Sequence, residues 1–137
     1  MSLTLEIVTP EKKIYSQEVT NVTIPAAEGE ICVLEGHVPL LTIVNAGEII
    51  ANSDKGTEFL AVDKGFVQVF GDKIAVLTEQ AITLEDMDIN TIEKAHKRAE
   101  EALKEAIQKN INPASIEKLE SIARFSIAQK LIKSRRG

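Results

Sequence analysis

Two residue types in the stretch "EGEICVLEGHVPLL", residues 28–41, can do chemistry: Cys32 and His37. A thiol beside an imidazole can act as nucleophile and base, and histidine moves protons near neutral pH. That chemistry also needs a third group to orient the base, and nothing nearby in the sequence supplies one. Cys32 alternates with Ile31 and Val33 in a strand-like run, which predicts a small buried residue. His37 follows Gly36, which frees the backbone, and precedes Pro39, which stiffens the exit into "LLTIV". A rigid loop of this kind presents a side chain to a partner. The reading is therefore docking, with no catalytic residue assigned. The second histidine, His96, lies far along the chain in a stretch of different texture. There is no HExxH, no paired CxxC, no GxSxG elbow and no GxxxxGK[ST] loop, so no metal or phosphate-cradling site is expected. The scattered Asp and Glu read as solvated surface.

The elements that position this loop are short strands. "LTLEIVT" alternates at period two through Leu3, Leu5 and Ile7. "EVTNVTI" continues with Val19, Val22 and Ile24, and the phase shift between Val19 and Val22 predicts a β-bulge. "GEIIANS", "TEFLAVD", "GFVQVFG" and "KIAVLTE" follow, separated by turn chemistry such as "AAEGE", "NAGE" and "SDKG". Gly71-Asp72 between two β-rich runs marks a hairpin. Strands this closely spaced, with no helix between them, predict a mostly antiparallel β-sandwich or barrel over residues 1–86.

Beyond residue 86 the period changes to that of a helix. Ile92, Ala95, Ala99, Ala102, Leu103, Ala106 and Ile107 form one stripe, started by Asp88 or by Asn90 with Glu93 at capping-box spacing. "NINPAS" breaks it, with Asn112 as cap and Pro113 in the first turn of a second helix. The second stripe is Ile116, Leu119, Ile122, Ala123, Ile127 and Leu131. Residues 87–137 thus read as an antiparallel two-helix hairpin. Its alanine-rich first face permits close approach but buries little area, at ~25 cal/mol per Å².

The 137 residues suit one domain or a small one with an appendage, and 44% apolar residues can supply a core. No apolar run reaches the roughly 18 residues of a membrane span, and the N-terminus lacks the pattern of a secretion signal. One cysteine excludes an internal disulfide and fits a reducing compartment such as a bacterial cytoplasm. The net charge of -5 argues against a nucleic-acid binder. That charge is divided: residues 1–86 hold 5 basic and 14 acidic side chains, residues 87–137 hold 11 and 7. An acidic first part and a basic second part point to two modules with different partners.

At "AEGEICVLEGHVPLLTIVNAGEI" the sequence resembles the epsilon subunit of F-type rotary ATP synthases. Gly29-Glu30, Leu34, His37, Pro39-Leu40 and Ala46-Gly47 match that family's turn pattern, and "FLAVDKGFVQVFGDKIAVLTEQA" is similar to its later strand segment. Cys32 and Glu35 depart from it where glycine and proline are common. The resemblance implies a non-catalytic rotor subunit. The sandwich would bind the gamma subunit of the central stalk and rest on the membrane ring of c subunits, with Glu30, Leu34, His37 and Pro39 as contacts. The hairpin would regulate ATP hydrolysis. Its basic end, with Arg124, Lys130, Lys133, Arg135 and Arg136, would reach the catalytic beta and alpha subunits, at an acidic segment of beta. Two helices of about 20 residues could together span about 60 Å when extended. The location implied is the cytoplasmic face of the bacterial inner membrane, and the coupling ion is a proton or sodium.

Some bacterial members bind ATP as a regulatory ligand through an "[IL]DxxRA" motif at the start of the first helix. Here that stretch is "MDINTI", residues 87–92. Asp88 is retained, but Thr91 stands at the arginine position and offers neither charge nor a hydrogen-bonding fork. Arg98 and Arg124 are the remaining basic contacts, and ATP binding is expected to be weak or absent. No cofactor is required. Two rival readings are a free-standing adaptor that binds a partner helix and a small hydrolase built on Cys32 and His37.

Overall fold

The computed structural model describes residues 3–136. Ten strands come first: β1 (Leu3–Val8), β2 (Lys13–Val19), β3 (Asn21–Ala26), β4 (Gly29–Leu34), β5 (Leu40–Val44), β6 (Gly47–Ser53), β7 (Gly56–Val62), β8 (Gly65–Phe70), β9 (Lys73–Thr78) and β10 (Ala81–Thr83). A 3-10 turn at Leu84–Asp86 leads to helices α1 (Ile89–Gln108) and α2 (Pro113–Arg136). The architecture is the expected antiparallel β-sandwich followed by a two-helix hairpin.

The strands hydrogen-bond in the order β10-β7-β6-β3-β5-β8-β9-β1-β2, with β4 paired to β3. All pairs are antiparallel except β1 with β9. The path curls over itself, and Tyr15 on β2 donates from its hydroxyl to Glu58 on β7 at 3.1 Å. Burial and that carboxylate raise the phenol's pKa to about 12, because both disfavour the phenolate. Inside, alternate residues interdigitate: Leu3, Leu5 and Ile7 meet Val22, Ile24, Ile49, Leu60, Val67, Val69, Ile74 and Val76, all fully or almost fully buried.

The shift between Val19 and Val22 is not a bulge. β2 ends at Val19 and β3 begins at Asn21, so Thr20 is a corner where the chain passes from pairing with β1 to pairing with β4 and β6. Thr20 fixes the corner by donating from its N–H (2.7 Å) and hydroxyl (2.9 Å) to the Asn52 carbonyl. Both valines stay inward because the chain turns, and a period-two count alone cannot separate a corner from an inserted residue.

The hairpin is built as its caps dictate. Asp88 is the N-cap of α1: its carboxylate accepts from the Asn90 N–H at 3.0 Å and from the Thr91 hydroxyl at 3.2 Å. Asp88 therefore does the capping that the Asn90–Glu93 spacing also offered. At the other end Asn110 takes a left-handed φ of 57°. The Ile111 N–H donates to the Ala106 carbonyl and the Asn110 N–H to that of Ile107, a Schellman closure. Asn112 then caps α2, accepting from the Ala114 N–H at 2.8 Å.

α2 packs on β6 and β7, and α1 packs on α2. The middle helix is thus gripped on two sides, which corrects the single stripe expected for it. Phe125 and Ile132 are buried against the sandwich with Ala61, Met87 and Ile92, while Ile127 and Leu131 from the expected stripe are exposed. On α1, Ala99 and Ala106 are buried, but Ala95 and Ile107 face solvent. No single 3.6-residue line describes a helix with two partners.

Candidate docking faces and hairpin contacts

The 34–39 turn is ordered by its own backbone. The His37 N–H donates to the Leu34 carbonyl at 3.1 Å, closing a tight turn in which Gly36 takes φ +82°. His37 Nδ1 lies 2.7 Å from the Val38 carbonyl. A carbonyl only accepts, so Nδ1 is the donor in this contact. Glu30, Leu34 and Pro39 are exposed and His37 is half-buried.

Cys32 is exposed, contrary to the expectation of burial. Val33 points into the core, so Cys32 and Leu34 on either side of it must point out, and β4 pairs only with β3. His37 pairs with the Leu34 and Val38 carbonyls, and no hydrogen bond links Cys32 to His37 among the described residues. Nor do three or more Asp, Glu, His or Cys side chains gather as a metal site among them. The hydrolase reading has no constellation to stand on.

The turn feeds β5, and β5 opens a surface that sequence reading missed. Outward-facing Ile43, Phe66 and Leu77 lie in register across β5, β8 and β9, and Leu41 and Phe70 extend the same face. All five are between 42% and 68% exposed. Singly exposed apolar residues are ordinary, but a contiguous patch marks a contact surface. Val38 and Leu34, both more than half exposed, continue it in the adjoining turn. The signal was present: "LLTIV" and "FVQVF" carry apolar residues at both parities, more than one buried face requires. Gly65 sets the close approach of β8 to β9, since a Cβ there would lie 1.9 Å from the Leu77 carbonyl oxygen.

On another part of the sandwich the outward face of β6, β7 and β10 is covered by the hairpin. Phe59, Ala61, Ile82 and Leu84 pack with Phe125 and Ile132. Buried Asp63 at the end of β7 accepts from the Ser121 hydroxyl at 3.0 Å and from the Lys64 N–H at 2.7 Å. Two of the five basic residues expected at a catalytic head face the sandwich in this compact form, where Arg135 and Arg136 flank Glu48. Arg124 pairs along its own helix with Glu120 at 3.7 Å. Lys130 is exposed and Lys133 half-buried near the same end.

The residues expected at a nucleotide do not form a phosphate cradle. The carboxylate of Asp88 is engaged in capping α1, Thr91 donates to it, and Arg98 is exposed, with no hydrogen bond or ion pair to either among the described residues. The side chains at this helix start are thus an acid and a neutral hydroxyl, neither of which brings a positive charge to a phosphate.

Comparison with known proteins bears on the chain as a whole. Residues 2–84 match the family described as ATP synthase, Delta/Epsilon chain, beta-sandwich domain. An ATP synthase epsilon chain of Geotalea uraniireducens is 41% identical over 102 residues, covering 74% of each chain. One from Dehalococcoides mccartyi is 35% identical over 134 residues, covering 98% of this chain and 94% of its own. A chain of the Euglena gracilis mitochondrial ATP synthase, in its OSCP/F1/c-ring structure, superposes with a TM-score of 0.73 over 95% of this chain and 80% of that one, at 20% identity.

Proposed function

This chain belongs to the ATP synthase epsilon-chain family and is a non-catalytic subunit of that complex, and from this premise we propose how its surfaces divide the work. The β5–β8–β9 face, with the 34–39 turn beside it, docks on the gamma subunit of the central stalk and meets the ring of c subunits. The observation that carries this is the in-register row of Ile43, Phe66 and Leu77, apolar and uncovered by any part of the described chain. Covering half-exposed side chains of this size is worth roughly 1–2 kcal/mol each at ~25 cal/mol per Å². A stiff sheet under such a contact transmits torque without yielding. The test is gel filtration with purified gamma subunit: Phe66→Asp with Leu77→Asp should abolish co-elution while circular dichroism stays native. Undiminished co-elution would place the gamma contact elsewhere.

The hairpin acts as a detachable regulatory arm. Two contacts with the sandwich, Asp63–Ser121 and Glu48 with the terminal arginines, are polar and reversible, and α1 buries only small Ala99 and Ala106 besides Ile92. Such an interface suits two states within a few kcal/mol. Extended, the arm brings its basic end to the acidic segment of the catalytic subunits and slows ATP hydrolysis. Deleting residues 87–137 should raise hydrolysis by the assembled complex; an unchanged rate would remove the brake from the account. ATP is not a regulatory ligand of this chain, and calorimetric titration should give no binding heat at millimolar nucleotide.

A further inference from the structure

The last turn of α2 is held on the sandwich by one carboxylate. Glu48 stands on β6 with its side chain only 13% exposed. Arg136 meets it as a fork, Nε and Nη2 each donating to a different carboxylate oxygen at 3.4 Å. The same guanidinium lies over the Phe59 ring of β7, 4.4 Å from its centroid. Arg135 adds a second cation, with Nη2 3.9 Å from Glu48 Oε1. A two-pronged approach, an aromatic floor and a neighbouring positive charge are the features by which arginines recognise a carboxylate on another protein. Here they are satisfied within the chain.

We propose that Glu48 and Phe59 form an intramolecular latch that stands in for the carboxylate of an acidic partner segment, so that sandwich and partner compete for Arg135 and Arg136. The proposal rests on the reading of the hairpin as a detachable arm. It follows that the compact form withholds the two cations, and that any partner affinity measured on the wild type is lowered by the fraction of chains that are latched. Releasing the arm strips Glu48 of both cations, which favours relatching when no acidic partner is present. Added salt weakens the latch, although incomplete exposure of Glu48 limits the screening.

The experiment uses the full chain with a donor dye on the exposed native Cys32 and an acceptor at Lys130→Cys, read by single-molecule energy transfer. Glu48→Gln should raise the ratio of separated to latched molecules about tenfold, the shift expected for losing a charge-assisted hydrogen bond. Arg136→Lys keeps the charge but loses the fork and the ring contact, and should raise the ratio several-fold. Glu48→Gln should lose most of the salt response seen in the wild type, and Arg136→Lys, which keeps its charge, should retain it. A Glu-rich helical peptide, titrated by fluorescence anisotropy, should bind Glu48→Gln about tenfold more tightly than wild type. Arg136→Lys tests the contact independently should Glu48→Gln disturb β6. Dye separations and peptide affinities equal to wild type in both variants would overturn the latch. Hydrolysis by the complex lacking residues 87–137 is scored separately: a latch that opens beside an unchanged rate removes the brake alone, and a released rate beside unresponsive variants removes the latch alone.

Discussion

Two outward faces of one sandwich carry the same kind of residue and meet different fates. β5, β8 and β9 expose Leu41, Ile43, Phe66, Phe70 and Leu77, whereas β6, β7 and β10 present Phe59, Ala61 and Ile82 to the hairpin. The covered face is also edged with polar anchors, Asp63 to Ser121 and Glu48 to Arg136. The open face has an aligned apolar row, with Gln68 and Lys73 as polar neighbours on the same side of the sheet. An interface meant to separate combines modest apolar burial with reversible polar ties; one meant to stay closed relies on apolar area. The chain supplies its own cover for the first face, and under the proposed function a partner covers the second.

Substitutions can break this contrast. The largest effect should come from Gly65→Ala beneath the open face. Its Cβ has no room against the Leu77 carbonyl, so urea denaturation should show a loss of about 3 kcal/mol or more. Next, Ile132→Ala on the covered face should weaken hairpin docking by about 2–4 kcal/mol. Hydrogen exchange should then speed up in α2 while the inner strands stay protected. Phe66→Ser on the open face should cost under ~1 kcal/mol of stability but reduce gamma affinity by roughly 30-fold or more. Equal stability losses for Phe66→Ser and Ile132→Ala would erase the distinction between the faces.

Smaller effects sharpen the comparison. Asp63→Ala should loosen α2 by about 1–3 kcal/mol, because it leaves the Ser121 hydroxyl and the Lys64 N–H without their acceptor. Tyr15 adds a pH signature to the inner sandwich alone. Its folded pKa of about 12 lies above the ordinary 10, so the native state holds the phenolic proton more tightly than the unfolded state. The stabilisation is complete below pH 10 and is lost as pH rises through about 12. Tyr15→Phe should flatten that alkaline fall in thermal melts, and hairpin docking should not respond to it.

Much of the fold was legible because its signals are local. Alternation at Leu3, Leu5 and Ile7, the Gly71-Asp72 hairpin and the Asn112-Pro113 helix start each depend on residues within a few positions. The candidate site was legible only in its turn. Glu30, Leu34, His37 and Pro39 stand in or beside the loop that the quoted stretch announced, but the five apolar residues beyond them were hidden among core residues of the same type. Cys32 went wrong because alternation fixes which neighbours differ, not which of them is inside.

The sequence by itself determined the strands, the change to helical period after residue 86, the caps and the division of charge. It also determined that "LLTIV", "FVQVF" and "FLAV" are apolar on both faces. Only the tertiary structure decided that the hairpin covers the outer side of β7 and leaves that of β5 and β8 bare, and that Arg135 and Arg136 close on Glu48. Burial is settled by elements far apart in the chain packing together, and no local pattern records which of two equally apolar surfaces the final helix will choose.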